Sequence, residues 1–438
     1  MDFYDFEFVM CIKRFVFVDN YLYLLYDVFL KRGFYMATEV LLYLAYLAVI
    51  LLIGLLTSIV SQRFKIPNIL LLLLIGIGLG RVEYNKAPLI YFPDIFMASI
   101  SVLALVMIVF DSASRLKLRK FDYFSLHALW LSAAFLIFNL IFLTLFTRII
   151  FGIEPLSIAI VFSVLMAGTD TGAVLSMLRN AGNGVFDFLK LEAHFNTILV
   201  VLLPFLIIDF GKTFRGLTPQ SISQIWPLLQ QPVVGIAAGV LMGLVMFKFM
   251  RKGYSAVLSP LAVITSALLA YVIAENLDGN GVFAVASMGI LFGAVHLSHK
   301  SQLQSFASVF LNSLGILVFV LIGIVVSIDF SADFLMRSIV LFLIYIWIRF
   351  MAILFALRGM NFTLKEKLFM SMNAQKGIAV AVVVFSLATL GIEGIGTILN
   401  LSMAFMIYSI ILASFAIRTA GFFIPNLENG KRNVNRNN

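Results

Sequence analysis

From Val40 onward the chain is a succession of long apolar runs separated by short polar breaks. A helix needs about 20 apolar residues to cross a bilayer, and backbone groups in hydrocarbon must be satisfied inside the protein, so helices are expected throughout. The pattern predicts thirteen spans, near residues 40–61, 68–80, 95–110, 124–147, 156–178, 190–209, 232–250, 257–274, 281–296, 306–327, 334–357, 368–390 and 400–417. The expected fold class is an all-α polytopic membrane protein, with residues 36–425 as its transmembrane domain. The first 35 residues interrupt the pattern with nine charges, and they lack the apolar core and small-residue cleavage site of a signal peptide. Translation is expected to start at Met36; the alternative is an aromatic segment lying in the membrane interface. Residues 426–438 are Asn-rich and basic and are expected to form a disordered cytoplasmic tail.

Composition sharpens this reading: hydrophobic residues make up 62%, charged residues only 12%, and mean hydropathy is +1.05, against about 25% charged residues in an ordinary soluble domain. Charge between the spans supplies an independent check, because cytoplasmic loops accumulate Lys and Arg. With the region before the first span outside, 19 of the 31 basic residues fall on the inner side and six on the outer. The net charge of +9 is therefore explained by topology and anionic lipid headgroups, with no need for a nucleic-acid partner. The expected location is the cell membrane, with the start of the first span outside and the C-terminus cytoplasmic. Cys11 is the only cysteine, so no internal disulfide is possible.

Against this background the charges inside spans stand out. Asp170, within Thr169-Asp170-Thr171-Gly172, lies in the fifth run, Glu192 in the sixth, Arg349 in the eleventh and Lys376 in the twelfth. Intramembrane charges are costly and by default mark an ion or proton pathway. Glu192 and Lys376 also read as a structural ion pair joining two spans, since each is intolerable alone. Asn196 lies one helical turn beyond Glu192 on the same face, and it and Thr197 read as ion ligands or as interhelical hydrogen-bond partners. His194 reads as a packed histidine or an accessory proton carrier. Arg349 reads as an accessory group or as a side chain snorkelling to the headgroups, and Asp111 as an interfacial acid. Gly76-x-x-x-Gly80 in the second run recurs as Gly289-x-x-x-Gly293 in the ninth, 213 residues on. Spans 1–6 and 8–13 would then be two inverted six-helix repeats, with broken helices at Gly168–Gly172 and Asn373–Gly377 meeting near the midplane.

Six stretches, in order, carry a resemblance. They are Arg63-x-x-Ile66-Pro67 with Gly76 and Gly80, Phe110-Asp111 with Leu116, Gly168-Thr169-Asp170-Thr171, Leu191 to Thr197, Leu311 to Gly323, and Gln375-Lys376-Gly377-Ile378-Ala379-Val380. Together the chain resembles the monovalent cation:proton antiporters of the NhaP type, related to the eukaryotic sodium/proton exchangers. The resemblance implies thirteen helices, usually a homodimer, and exchange of Na+, or of Li+ or K+, for H+ without a cofactor. It also implies Asp170 as the exchanging carboxylate and cation ligand, with Thr169, Asn196 and Thr197 around the ion. The chain departs from the pattern at three positions: Thr197 replaces the second ion-binding aspartate, Ala193 a liganding serine, and Lys376 the usual arginine. Asp170 then carries transport alone, with selectivity altered toward potassium for instance, or Glu192 is recruited as a second acid with His194, or the chain is a degenerate homologue that senses ions without exchanging them.

Enzyme readings fail on the residues. Gly211-Lys212-Thr213 lacks the glycine five positions earlier that a phosphate-binding loop requires, and neither His-Glu-x-x-His nor Gly-x-Ser-x-Gly occurs. A cation channel is the remaining competitor, since buried charges also line pores.

Overall fold

The computed structural model describes residues 37–64, 67–84, 87–88, 90–116, 123–170, 184–214, 226–250, 255, 258–295, 299–326, 331–392 and 394–424. The expectations for residues 1–35, Thr171, Gly172 and the tail from 426 lie outside the described residues. Apart from one antiparallel pair, Glu83–Tyr84 with Ala87–Pro88, the described elements are helices. They are α1 (Ala37–Phe64), α2 (Asn68–Gly80), α3 (Asp94–Ser114), α4 (Tyr123–Phe138), α5 (Thr144–Phe151), α6 (Leu156–Ala167), α7 (Gly184–Phe214) and α8 (Trp226–Met250). There follow α9 (Leu258–Asn276), α10 (Gly281–Ala294), α11 (Lys300–Val325), α12 (Ala332–Ala356), α13 (Leu364–Met372), α14 (Ile378–Thr389), α15 (Gly396–Arg418) and the single turn α16 (Ala420–Phe423). Among the described residues nine helical segments are long and apolar enough to cross a membrane, one of them α4 and α5 as a continuous rod, and four shorter apolar helices accompany them.

Local chemistry sets the helix ends. Pro67, Pro93 and Pro155 immediately precede α2, α3 and α6, where a missing N–H costs nothing and the fixed φ suits the first turn. Asn280 caps α10 by accepting from Val282 N and Phe283 N, Ser331 caps α12, and Thr363 with Glu366 forms a reciprocal capping box on α13. Gly152, at φ 63°, closes α5 in the left-handed conformation.

The helices bury polar groups inside and expose apolar ones, as a lipid solvent demands. On α12, Ile339, Leu343 and Trp347 form an exposed stripe, while Leu341, Tyr345, Ile348, Arg349 and Ala352 on the other faces are buried. The α4–α5 rod contains a π turn at Asn139–Leu143. It inserts one residue into the helical spacing, so that Ser132 and Phe135 before it, Asn139 and Leu143 within it, and Thr144 and Thr147 after it are all buried. Thr144 Oγ1 donates to Ser163 Oγ on α6 at 2.8 Å.

Where helices cross most closely, glycine removes the side chain. A Cβ on Gly76 of α2 would stand 2.5 Å from Val320 O of α11, and one on Gly289 of α10 would stand 3.1 Å from Phe110 O of α3. Gly78, two residues from Gly76, has nothing within 4 Å of that position. Gly76→Ala is therefore expected to destabilise by about 1–3 kcal/mol through overpacking, while Gly78→Ala raises stability slightly through helix propensity. Thermal unfolding of both variants in detergent checks the opposite signs.

Candidate functional site

Two interruptions of helix meet in the interior. α6 ends at Ala167 because Gly168 takes an extended conformation, φ −62° and ψ 129°, and residues 168–170 continue outside the helix. α13 ends at Met372 and α14 begins at Ile378, leaving residues 373–377 non-helical. The two stretches are joined by a backbone hydrogen bond, Asp170 N to Gln375 O at 2.9 Å. The Asp170 side chain lies directly over Gly377, where an added Cβ would collide with its carboxylate. Only glycine leaves room for the acid at that crossing.

Breaking a helix in a dry interior leaves carbonyls without partners. Lys376, which is fully buried, supplies them: its Nζ donates to Met166 O at 2.5 Å, to Gly168 O at 2.8 Å and to Tyr345 Oη at 2.6 Å. All three ammonium donors are used, and the positive charge sits at the carbonyl end of α6, where the helix dipole favours it. The Lys376 backbone N–H is held in turn by Ser409 Oγ at 3.1 Å.

The expected Glu192–Lys376 ion pair does not form. Glu192 is instead clasped by Arg349, Nη1 to Oε1 at 3.0 Å and Nη2 to Oε2 at 3.2 Å, with both side chains essentially inaccessible to solvent. The physical reason is shape: a planar guanidinium matches a carboxylate with two parallel bonds, whereas an ammonium is a point donor suited to converging carbonyls. Arg349 therefore does not snorkel; it also donates to Met370 O at 3.4 Å and lies 4.8 Å from the centre of the Phe135 ring. Asn196 links this pair to the crossing, its Nδ2 donating to Glu192 Oε1 at 3.1 Å and to Thr169 Oγ1 at 2.9 Å.

In front of this buried layer lies a cavity of about 290 Å³. Gly168, Thr169, Asp170 and Gly377 line it together with His194 and Thr197 of α7, and it reaches past Asn312 of α11 to Asp111, Arg115 and Ser308. Asp170 retains partial exposure, in contrast to Thr169, Asn196, Glu192, Arg349 and Lys376, all buried. Thr197 donates its hydroxyl to Ala193 O at 2.8 Å, so its oxygen lone pairs remain for the cavity. The residues singled out in the sequence thus divide into two layers. Asp170, Thr169, Thr197 and His194 meet at the cavity, while Asn196, Glu192, Arg349 and Lys376 form the support behind it. Gly377 was legible only as the end of the Asn373–Gly377 interruption, and sequence reasoning passed over Tyr345, whose signal was a tyrosine one turn from an intramembrane arginine.

The Glu192–Arg349 pair carries a clear expectation. Arg349→Ala leaves a buried carboxylate unmatched and should destabilise by about 3–5 kcal/mol, with Arg349→Lys restoring only part of the loss. Thermal unfolding midpoints in detergent measure both.

Comparison with known proteins is consistent over the whole of this architecture. The sodium/hydrogen exchanger transmembrane family matches residues 47–424. The chain is 22% identical over 382 residues to the K(+)/H(+) antiporter NhaP of Alkalimonas amylolytica, covering 85% of this chain and 65% of that protein, so it spans slightly less than two thirds of that relative's length. It is 27% identical over 289 residues to the Na(+)/H(+) antiporter NhaH of Halobacillus aidingensis, covering 62% of this chain and 69% of that protein. The structure of the sodium proton antiporter MjNhaP1 from Methanocaldococcus jannaschii matches with a TM-score of 0.70 at 20% identity, over 89% of this chain and 99% of that one, a likeness of fold. With that family match running through nearly every helix described above, the chain is a multi-pass membrane protein that belongs to the sodium/hydrogen exchanger family.

Proposed function

We propose that this protein exchanges a monovalent cation for protons across the cell membrane, with Asp170 as the carboxylate that holds either. The observation that carries the reading is the placement of the Asp170 carboxylate in the wall of a cavity, where the chain leaves α6 and meets the non-helical segment 373–377, while Glu192 stays buried in its pair with Arg349. A proton and an alkali cation compete for the same oxygens, so if the site changes sides only when one of them occupies it, the two fluxes are coupled without ATP. Thr169, Thr197 and Asn196, whose buried Oδ1 has no hydrogen-bond partner among the described residues, supply neutral oxygens suited to a hard cation. Na+ is the first candidate and Li+ or K+ the alternatives; the NhaH relative is a sodium antiporter and the NhaP relative a potassium antiporter.

The topology proposed with it has thirteen spans in two inverted repeats. Nine long and four short apolar helices support that number. The glycine crossings support the symmetry, because exchanging the repeats turns the α2–α11 contact at Gly76 into the α10–α3 contact at Gly289. By the charge bias of the loops the cavity opens to the cytoplasm, and the antiporter works as a homodimer like its family. A second reading, cation binding without exchange, rests on Thr197 standing where the family has its second acid.

The test is reconstitution into liposomes with an internal pH dye and addition of sodium, lithium or potassium. Cation-driven proton movement is expected from the parent protein and is expected to vanish in Asp170→Asn; an equal response in the mutant rejects Asp170. Current carried by one ion without an opposing gradient of the other marks a channel. If the parent is silent and Thr197→Asp gains exchange, the sensing reading holds.

A further inference from the structure

At the end of α3 the cavity is built differently from the crossing at Asp170. Arg115 caps α3 one turn after Asp111 and grips it with two hydrogen bonds, Nε to Oδ2 and Nη2 to Oδ1, both 3.0 Å. Ser308 of α11 donates to the same Asp111 Oδ1 at 3.0 Å, and Arg115 Nη2 also reaches Ser308 Oγ. All three residues line the same cavity as Asp170. A cation approaching from this side therefore meets a carboxylate that already holds a cation of the protein's own.

Two features separate this pair from Glu192–Arg349. The first is exposure: 32% of the Arg115 side chain and 13% of the Asp111 side chain are accessible, against 0% and 1% for Arg349 and Glu192. A part-exposed i, i+4 pair is held less firmly and parts more readily than one sealed from solvent on both sides. The second is redundancy. The end of α3 is already fixed without Arg115, by Gln304 Nε2 donating to Ser114 O at 2.8 Å and by close packing of Gly289 and Gly293 of α10 on Phe110 O and Ser114 O. The pair is thus not needed to hold the helix in place. When the guanidinium swings toward solvent, the Asp111 carboxylate and the Ser308 hydroxyl are left facing the cavity, an oxygen set that suits a hard alkali cation.

We propose that Asp111 and Ser308 form a vestibule site for the transported cation on its way to Asp170, and that Arg115 is a tethered competitor occupying that site whenever the cation is absent. This rests on the antiporter reading for the identity of the ion. Arg115 keeps the throat neutral when it is empty, is displaced as the ion arrives, and returns behind it once the ion has moved on to Asp170.

The two partners of one ion pair then have opposite effects. Arg115→Gln removes the competitor and should lower the apparent KM for sodium or potassium by about two- to fivefold, while Asp111→Asn removes the site and should raise it by a similar factor. The double variant should behave as Asp111→Asn. Proteoliposome exchange supplies one readout. Calorimetric titration of sodium or potassium chloride into the full chain in detergent, with choline chloride as the ionic-strength control, supplies another that does not depend on transport. Unfolding midpoints monitor folding of each variant. Shifts of the same sign, or none, in both variants overturn the vestibule site whatever Asp170→Asn does. Opposite shifts in cation titration with a silent exchange assay leave the vestibule standing and reject the antiporter reading instead.

Discussion

A chain that interrupts its helices where water cannot follow must find other partners for the backbone, and here one lysine does so. The ammonium of Lys376 gathers two carbonyls at the end of α6 and the Tyr345 hydroxyl, while Asp170 N and Gln375 O join the interruptions directly. Without these bonds the extended segments at 168–170 and 373–377 would be untenable inside a bundle of apolar helices, since each unmatched group in that setting costs on the order of 1–3 kcal/mol. Holding them open is what lets a carboxylate project into a cavity rather than into the packed side of a helix.

The intramembrane charges follow a division of labour that their chemistry explains. Arginine, with its planar fork, takes the acid that must stay buried; lysine, with its compact head, takes the carbonyls. Asp170 is left to line the cavity, partly exposed. The Asp111–Arg115 pair repeats the bidentate geometry of Glu192–Arg349 in a setting accessible enough to come apart. The same contact serves as scaffold in one place and as a movable part in the other, and burial alone makes the difference.

Much of this was legible in the sequence because lipid imposes simple rules. Apolar length located the helices, and the scarcity of charge made Asp170, Glu192 and Lys376 conspicuous. Glycine inside an apolar run foretold the interruptions. Pairing was not legible, because which cation meets Glu192 depends on how α7, α12 and the segment after α13 are stacked, and spacing along the chain carries no information on that. The snorkelling alternative for Arg349 fails for a related reason: distance from a helix end says how far a side chain must reach for water, but not whether a buried acid lies nearer. Asp111 looked interfacial from its place near a span end, and only the approach of α11 shows that it shares a cavity with Asp170.

The π turn in the α4–α5 rod shows how a single residue sets the orientation of everything beyond it. One turn of α-helix takes 3.6 residues, so the additional residue rotates α5 by about 100° relative to α4. That rotation brings Thr144 round to Ser163 and keeps Thr147 off the hydrocarbon. Deleting any one residue between Asn139 and Leu143 would turn Thr144 and Thr147 away from the interior they now face. The rod is thus intolerant of a change in its length along this stretch.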